Sequence, residues 1–271
     1  MGDVLGLVAG AGALPALIAA EARRAGWRVV GFALGGAALP SDVDRVVPCR
    51  LGDVAPILAV LAEEGIRHVV LAGRVPKDGL FHGAPVDAAA LALLARAPDW
   101  SDDGLLRTAA QALGALGVEV LDQRRFLGGG LAPAGLLAGP ALPTSAAADA
   151  RRGLAVAREL ARHGVGQTVV VRAGSVAAVE AMEGTDEAIR RGLALAGPGA
   201  VVVKATAPEH DYRFDVPSIG PDTLRRCADG GAAALVVEAG RVLVLDGPRV
   251  RADAATAGIS LVGLAERGGG D

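Results

Sequence analysis

Aromatic residues are scarce in this sequence of 271 residues, since Phe, Trp and Tyr together make up only 3% of it. Few rings are therefore available to stack on nucleic-acid bases. The formal net charge of −3 also provides no basic surplus that would attract a phosphate backbone. We therefore expect no nucleic-acid partner. The sequence also contains no internal repeat of fixed period.

Cysteine is nearly absent as well. Cys49 and Cys227 are far apart and show no metal-ligand spacing, which favours buried free thiols in a reducing compartment. The N-terminal run "DVLGLVAGAGALPALIAA" lacks a basic leader and is interrupted by glycines and Pro15. It predicts a strand, a turn and a helix, and neither a signal peptide nor a membrane span. We expect a cytoplasmic protein.

Apolar residues are abundant. Hydrophobic residues make up 52% of the chain and charged residues 21%, which is enough for a large core. A chain of 271 residues has a comfortable length for two domains of average size.

The first half of the sequence alternates short apolar runs with amphipathic segments. "VLGLVAG", "WRVVGFAL" and "RHVVLAG" are continuous apolar runs of the kind found in buried parallel strands. Helical patterns separate them, and Ser101 is an expected N-cap for the helix that begins "SDDGLL". This rhythm predicts a doubly wound, mostly parallel sheet over residues 1–135.

The composition changes after that point. The stretch from 128 to 148 is uncharged and rich in Gly and Pro, and we expect a linker at 136–148. Beyond it, "QTVVVR" and "SVAAVEAM" flank Ala173-Gly174 with the spacing of a hairpin, and "AALVVEAG" with "RVLVLDG" repeats that pattern. Residues 149–271 are therefore expected to form a second, mixed α/β domain that carries an acidic loop.

Two glycine turns are candidates for phosphate binding. "GLVAGAGALP" places Gly10 and Gly12 between a strand and a helix, where backbone N–H groups can face an anion. Pro15 replaces the third glycine of a dinucleotide fingerprint, and the second strand ends without an acid, so NAD is disfavoured. A turn at Gly73, with Arg74 and Lys77, is expected on the same sheet edge. Turns needed only for packing or solvation remain the alternatives.

"EAMEGTDEAIRR" resembles a helix start in which Thr185 is the expected N-cap and Asp186 lies in the first turn. Glu183 fits that local reading less well, because it follows an apolar strand pattern directly. Acids at strand ends lie where ligands bind in α/β sheets.

The densest polar stretch is "KATAPEHDYRFDVPSIGPDT", which begins at Lys204. Asp211, Arg213 and Asp215 alternate with period two, so an extended segment would place them on one face. Two carboxylates there would form a hard oxygen site of the sort that binds Mg²⁺ together with substrate phosphates. A surface ladder of Asp, Arg and Asp is the alternative, and it would contribute little to stability.

These segments, together with "DDGLLRTAAQALGALGVEVLD" and "AALVVEAGRVLVLD", resemble the metal-dependent, two-domain UDP-2,3-diacylglucosamine pyrophosphatases of lipid A biosynthesis. The resemblance covers the chain in order. It implies a Rossmann-like N-terminal domain and a distinct C-terminal domain. It also implies Mg²⁺- or Mn²⁺-dependent hydrolysis of the diphosphate to UMP and 2,3-diacylglucosamine 1-phosphate (lipid X).

The resemblance and the residue patterns together select a set of site residues. Asp215 is the expected catalytic residue, and Asp211 with Asp215 is the expected metal pair. The expected substrate contacts are Gly10, Ala11, Gly12, Gly73, Lys77, Glu183, Thr185, Asp186, Lys204 and Arg213.

The expected partner is an amphipathic UDP-linked acylated sugar. Peripheral contact with the inner membrane surface and a homodimer stay open. Three other functions also stay open: hydrolysis of another nucleoside diphosphate conjugate, NAD-linked oxidoreduction, and non-catalytic binding of a nucleotide-sugar or phospholipid. A binding protein would keep its ligand without Asp215 and would show no turnover with any metal.

Overall fold

Apolar runs and amphipathic helices alternate as the sequence predicts, and they form one large sheet in each of two units. The computed structural model describes residues 3–41, 43–75, 85–98 and 101–265. The N-terminal unit consists of Met1–Gly128 with Asp211–Asp215, and the C-terminal unit consists of Gly129–His210 with Val216–Asp271. The expected fold class is confirmed: a parallel sheet in one unit and a mixed α/β arrangement in the other.

The N-terminal sheet has the strand order β3-β2-β1-β4-β5, and every pairing in it is parallel. Its strands are β1 (Val4–Ala9), β2 (Arg28–Leu34), β3 (Arg45–Cys49), β4 (His68–Ala72) and β5 (Glu119–Val120). Among the described residues, its helices are α1 (Leu14–Arg24), α2 (Ala55–Glu63), α3 (Ala88–Leu94), α4 (Asp102–Ala115) and α5 (Arg124–Leu127). A short 3₁₀ helix, Gly128–Gly130, follows.

Two features of this unit follow directly from its sequence. The continuous apolar runs of β1 and β2 are mostly buried, because α/β sheets cover both faces of such strands. Ser101 is confirmed as an N-cap, since its hydroxyl accepts a hydrogen bond from the Gly104 backbone N–H at 3.0 Å.

The C-terminal sheet has the order β6-β13-β11-β9-β7-β8. Strands β13, β11 and β9 run parallel, whereas β6, β7 and β8 pair antiparallel with their neighbours. The strands of this unit are β6 (Gly135–Ala138), β7 (Thr168–Arg172), β8 (Ser175–Val179), β9 (Val201–Lys204), β10 (Ser218–Ile219), β11 (Ala234–Glu238), β12 (Leu243–Val244) and β13 (Ser260–Leu264). Its helices are α6 (Thr144–Arg162), α7 (Thr185–Ala196), α8 (Pro221–Asp229) and α9 (Gly247–Ala257).

The two faces of this sheet pack against different helices. A Cβ at Gly153 of α6 would collide with Val203, and a Cβ at Gly192 of α7 would collide with Val170, so both helices need glycine to approach the sheet this closely. Residues 136–148, where a linker is predicted, include the end of β6 and the first turn of α6. The Gly- and Pro-rich composition there belongs to an edge strand and its turns.

The two predicted hairpins have opposite outcomes. The hairpin β7–β8 is confirmed, and the Asp149 carboxylate of α6 accepts hydrogen bonds from the N–H groups of Ala173 and Gly174 at 2.8 and 2.7 Å. The second hairpin is wrong: β11 pairs in parallel with β9 and β13, and β12 pairs with β10 in a separate two-stranded sheet. Every residue of β11 is buried, as expected for a central parallel strand.

Candidate active site

The two glycine turns of the N-terminal unit meet at the carboxyl edge of the sheet, as the sequence predicts. Ala11 and Arg74 form an antiparallel bridge in which each backbone N–H donates to the other residue's carbonyl at 2.8 Å. The Gly10 N–H donates to the Ala72 carbonyl, also at 2.8 Å. The N–H groups of Gly10 and Ala11 are therefore used within the protein, and donors for an anion at this turn would have to come from Gly12 onward.

The glycines of these turns differ in what surrounds them. A Cβ at Gly10 would lie 2.6 Å from the Arg74 carbonyl oxygen, and a Cβ at Gly73 would lie 2.8 Å from the Gly10 carbonyl. Both positions need glycine for packing. Gly12 has φ +110°, and a Cβ there would find no atom of the described residues within 4 Å. Lys77 lies outside the described residues.

This contrast predicts different effects for the same substitution. Gly10→Ala would press on the Arg74 backbone, and we expect it to lower the free energy of unfolding by about 1–3 kcal/mol. Gly12→Ala has open space and only the strain of a positive φ, which costs roughly 1 kcal/mol. Urea unfolding of the two variants checks the order, and a Gly12→Ala variant less stable than Gly10→Ala would contradict it.

The acidic segment Asp211–Asp215 belongs to the N-terminal unit and forms a turn, closed by a hydrogen bond from the Phe214 N–H to the Asp211 carbonyl at 3.2 Å. The expectation of an extended backbone at Asp211–Asp215 is therefore wrong. Arg213 folds back on Asp211 instead, with Nε 2.9 Å from Oδ1 and Nη2 2.6 Å from Oδ2. This guanidinium holds the pKa of the Asp211 carboxyl below its ordinary value.

The segment is held against the corner that follows β5. The Gln123 N–H donates to the Tyr212 carbonyl at 3.1 Å, and the Arg124 guanidinium lies 3.8 Å from the centre of the Tyr212 ring. Gln123 is 1% exposed, and its Oε1 has no hydrogen-bond donor among the described residues. Asp215, three residues beyond the buried Tyr212, is exposed.

The carboxylates of the acidic segment are the candidate ligands for a metal ion. Among the described residues, no three His, Cys, Asp or Glu side chains cluster as a metal site would require. Mg²⁺ usually keeps several waters and binds through one or two carboxylates together with substrate phosphates. The Asp211 carboxylate is engaged by Arg213, and the role of Asp211 and Asp215 as metal ligands stays a prediction.

The C-terminal unit brings two predicted residues together in a polar chain. Lys204, the last residue of β9, is only 7% exposed, and its Nζ donates to Thr185 Oγ1 at 3.0 Å. The Thr185 hydroxyl donates in turn to Glu180 Oε1 at 2.8 Å. The helix α7 begins at Thr185 itself, so the expected role of Thr185 as N-cap is wrong. Gly184 occupies the cap position with φ +82°, and the hydroxyl is used by Glu180.

A buried hydroxyl lies on the same face of this sheet. Thr168 is the antiparallel register partner of Lys204, so both side chains project from one face. Val170, two residues along β7, packs against Gly192 and shows that α7 covers this face. Thr168 is 1% exposed, and its Oγ1 has no hydrogen-bond partner in the described part of the chain. A buried cation, an unpaired hydroxyl and a helix N-terminus favour an anion at this place.

Glu183 and Asp186 flank the start of α7. The Glu183 carboxylate accepts a hydrogen bond from Arg191 Nη2 at 2.5 Å, and it lies four residues after the end of β8 rather than at the strand end. Asp186 is half exposed, and its Oδ2 lies 3.9 Å from Arg226 Nε. Their roles as substrate contacts stay predictions.

Sequence reasoning missed two acids that end apolar strands. Glu180 directly follows β8, and Glu238 is the last residue of β11. Glu238 is 1% exposed and accepts hydrogen bonds from Arg158 Nη2 at 2.6 Å and from the Thr206 N–H at 3.0 Å. An acid at the end of a fully apolar run was the sequence signal that could have identified them. Such an acid needs a hydrogen-bonding or charged partner when it is buried.

The two cysteine thiols are buried away from solvent. Cys49 and Cys227 are free and buried, as expected. Burial raises the pKa of the Cys227 thiol to about 12, so it stays protonated and poorly nucleophilic. Among the described residues, no helix combines the length and the apolar character that a membrane crossing requires.

Comparison with known proteins gives matches along the whole chain. The family model of the LpxI N-terminal domain matches residues 4–129, and that of the LpxI C-terminal domain matches residues 133–262. The UDP-2,3-diacylglucosamine pyrophosphatase LpxI of Caulobacter vibrioides is 36% identical, over 96% of this chain and 97% of the relative. Glycinamide-RNase-transformylase T from Mycobacterium tuberculosis aligns with a TM-score of 0.25 at 18% identity, over 73% of this chain and 44% of that chain, which is too weak for any argument.

Proposed function

The chain belongs to the LpxI family, and from this premise we propose that it hydrolyses the diphosphate of UDP-2,3-diacylglucosamine in lipid A biosynthesis. The products of the proposed reaction are UMP and 2,3-diacylglucosamine 1-phosphate. The observation that carries the proposal is the match, along nearly the whole of both chains, with the pyrophosphatase of Caulobacter vibrioides.

The polar chain of the C-terminal unit supports a role in phosphate binding. Lys204 is buried and can place a point charge on a phosphate oxygen, while the Thr168 hydroxyl adds a neutral donor. Glu180 accepts hydrogen bonds from the Thr185 hydroxyl at 2.8 Å and from the Gln167 N–H at 3.3 Å, so it fixes the orientation of Thr185. In this proposal the site holds the phosphate that remains on the acylated sugar.

Asp215 is the proposed catalytic residue. Its side chain is exposed to water, and it lies four residues after Asp211 in the acidic segment. A carboxylate in this position can orient a water molecule and accept its proton as the water attacks phosphorus. A Mg²⁺ or Mn²⁺ ion held by Asp211 and Asp215 would offset the negative charge of the diphosphate. Arg213 would then be released to contact the substrate.

The substrate is amphipathic, and its acyl chains belong to a membrane. We therefore propose that the protein acts in the cytoplasm at the surface of the inner membrane, with no need for a spanning segment. The homodimer stays a prediction.

Incubation of the full chain with UDP-2,3-diacylglucosamine tests the proposal. We expect UMP to be released with Mg²⁺ and to disappear when a chelator is added. If the same amount of UMP is released with and without chelator, the proposed metal requirement is wrong and the proposed hydrolysis still stands. Turnover of other UDP-sugars but not of this one would point to another nucleoside diphosphate conjugate. Binding of the substrate without turnover at any metal concentration would support a non-catalytic binding protein. Reduction of added NAD would support the NAD-linked oxidoreductase.

The phosphate site makes a separate prediction. We expect Lys204→Met to weaken binding of 2,3-diacylglucosamine 1-phosphate by about 10–100-fold, because hydrogen bonds to charged groups contribute roughly 1.5–3 kcal/mol. The loss should persist at high salt, since a buried charge is poorly screened. Calorimetry of the variant checks this.

Arg152→Met, which removes an exposed positive charge of α6, is the matched control and should bind like the wild type. If Lys204→Met keeps the wild-type affinity and melting temperature, Lys204 does not contact phosphate.

A further inference from the structure

The acidic segment Asp211–Asp215 comes from the second half of the chain, and the residues on either side of it belong to the C-terminal unit. Two of its contacts are internal: the turn closed by the Phe214 N–H, and the ion pair of Asp211 with Arg213. Internal contacts fix the shape of the segment. Its place in the N-terminal unit must be fixed by contacts with other residues.

Tyr212 attaches the segment to the corner that follows β5. Its side chain is only 4% exposed. Its backbone carbonyl accepts the hydrogen bond from the Gln123 N–H at 3.1 Å, and its ring lies 3.8 Å from the central carbon of the Arg124 guanidinium. Two consecutive residues of the corner therefore hold both the backbone and the ring of Tyr212, three residues before Asp215.

The Arg124 guanidinium is itself held in place by Asp122. Its Nε donates to both carboxylate oxygens, at 3.1 and 3.0 Å, and its Nη2 donates to Oδ2 at 2.6 Å. The same carboxylate accepts the Arg124 backbone N–H at 2.8 Å. A forked pair fixes the plane of a guanidinium as well as its position. Both side chains are partly exposed, so without this pair the guanidinium could turn away from the ring into water.

The corner that carries these residues is firmly attached to the rest of the unit. The Leu121 N–H donates to the Val69 carbonyl of β4 at 2.8 Å. Phe126 and Leu127 of α5 are buried, and the Phe126 ring meets the Trp27 ring edge-on at 6.2 Å between centres. Functional groups are held best by residues on such rigid supports.

The proposed chemistry depends on where Asp215 lies. A carboxylate that orients water must lie within hydrogen-bonding distance of it, and a displacement of about 1 Å can cost roughly 10²-fold in rate. The turn closed by the Phe214 N–H links Tyr212 to Asp215, so movement of the Tyr212 ring displaces the carboxylate.

We propose that Arg124 is a positioning residue for the hydrolysis. Held by Asp122, it fixes the ring of Tyr212 and through it the place of Asp215, and it needs no contact with the substrate. The role in hydrolysis rests on the proposed function, whereas the attachment of the segment does not depend on it.

Steady-state kinetics of the full chain, measured well below the melting temperature of each variant, test this role. Arg124→Met removes the cation and keeps an unbranched stem, and we expect kcat to fall by about 10–100-fold. Affinity for 2,3-diacylglucosamine 1-phosphate, measured by calorimetry, should not change, because a positioning residue acts on the transition state. Arg124→Lys keeps a cation but loses the fork, so it should recover part of kcat.

Arg125→Met is the matched control. Arg125 is the next residue of the same helix and is exposed, and its guanidinium lies 5.2 Å from the centre of the Trp27 ring instead. Its loss removes the same charge and should leave kcat unchanged. Wild-type kcat in Arg124→Met would overturn the proposal. A loss of product affinity as large as the loss of kcat would also overturn it, because Arg124 would then act on binding.

Hydrogen exchange at the Phe214 amide separates this proposal from the proposed reaction. We expect faster exchange in Arg124→Met and no change in Arg125→Met, because the Phe214 N–H closes the turn that Tyr212 attaches. If the wild type releases UMP and Arg124→Met changes neither exchange nor kcat, the positioning role is wrong and the reaction stands. If the wild type releases no UMP while Arg124→Met speeds exchange, the attachment is supported and the reaction is rejected.

Discussion

Replacement of Asp215 by alanine is expected to lower the kcat of hydrolysis by about 10²–10⁴-fold, the range that a positioned acid or base contributes. Affinity for the product should change little. A carboxylate that orients water or holds a metal acts mainly in the transition state, so kcat falls and ground-state binding remains. The side chain is exposed and the anchors of its segment, Gln123 and Arg124, are untouched, so the variant should fold.

The control for this experiment is Glu209→Ala. Glu209 precedes the acidic segment, and its side chain is 71% exposed in a loose pair with Arg162, so its loss should leave both kcat and stability unchanged. Steady-state kinetics with UDP-2,3-diacylglucosamine, together with a melting curve of each variant, give the comparison. Turnover of Asp215→Ala near the wild-type rate would remove Asp215 from the chemistry.

The sequence predicted correctly those elements of the fold that depend on interactions between neighbouring residues. The apolar runs of β1 and β2, the Ser101 cap and the β7–β8 hairpin each depend on a few neighbouring residues, and all are present. The second hairpin failed because the partner of β11 is chosen by burial on both faces of the strand, which brings β9 and β13 beside it. Such pairing depends on strands that lie far away in the sequence.

The site shows the same division. The meeting of the two glycine turns was predictable, because parallel strands end at one edge of a sheet. The turn at Asp211 was not, because alternation with period two does not reveal the hydrogen bond from the Phe214 N–H to the Asp211 carbonyl. Glu238 was missed because its partner Arg158 lies 80 residues away in the sequence. The sequence around Thr185 is typical of an N-cap, and only the structure shows that its hydroxyl donates to Glu180 and accepts from Lys204.

Glu238 carries the other large expected effect, on stability. One oxygen of its buried carboxylate accepts two hydrogen bonds from Arg158 and lies 3.2 Å from Arg241 Nε, and the other accepts the Thr206 N–H. Arg241 also donates to the Pro208 carbonyl at 3.0 Å. The network therefore ties the end of β11 to α6 and to the segment that follows Lys204.

Glu238→Ala would remove the buried carboxylate that Arg158, Arg241 and the Thr206 N–H share, and we expect the free energy of unfolding to fall by about 3–5 kcal/mol. The adjacent Glu159→Ala removes an exposed acid of α6 and should leave stability unchanged. The double variant Glu238→Leu with Arg158→Met should recover only part of the loss, because the apolar pair needs no counter-charge whereas Arg241 and the Thr206 N–H still lose the Glu238 carboxylate.

Urea unfolding of these variants, combined with hydrogen exchange at the Thr206 amide, distinguishes the network from simple packing. Glu238→Gln keeps an acceptor for the Thr206 N–H and removes the charge, so Thr206 should stay protected although stability falls. In Glu238→Ala both the protection and the stability should fall. If Glu238→Ala unfolds at the wild-type urea concentration, the ion pair of Glu238 with Arg158 contributes nothing to stability.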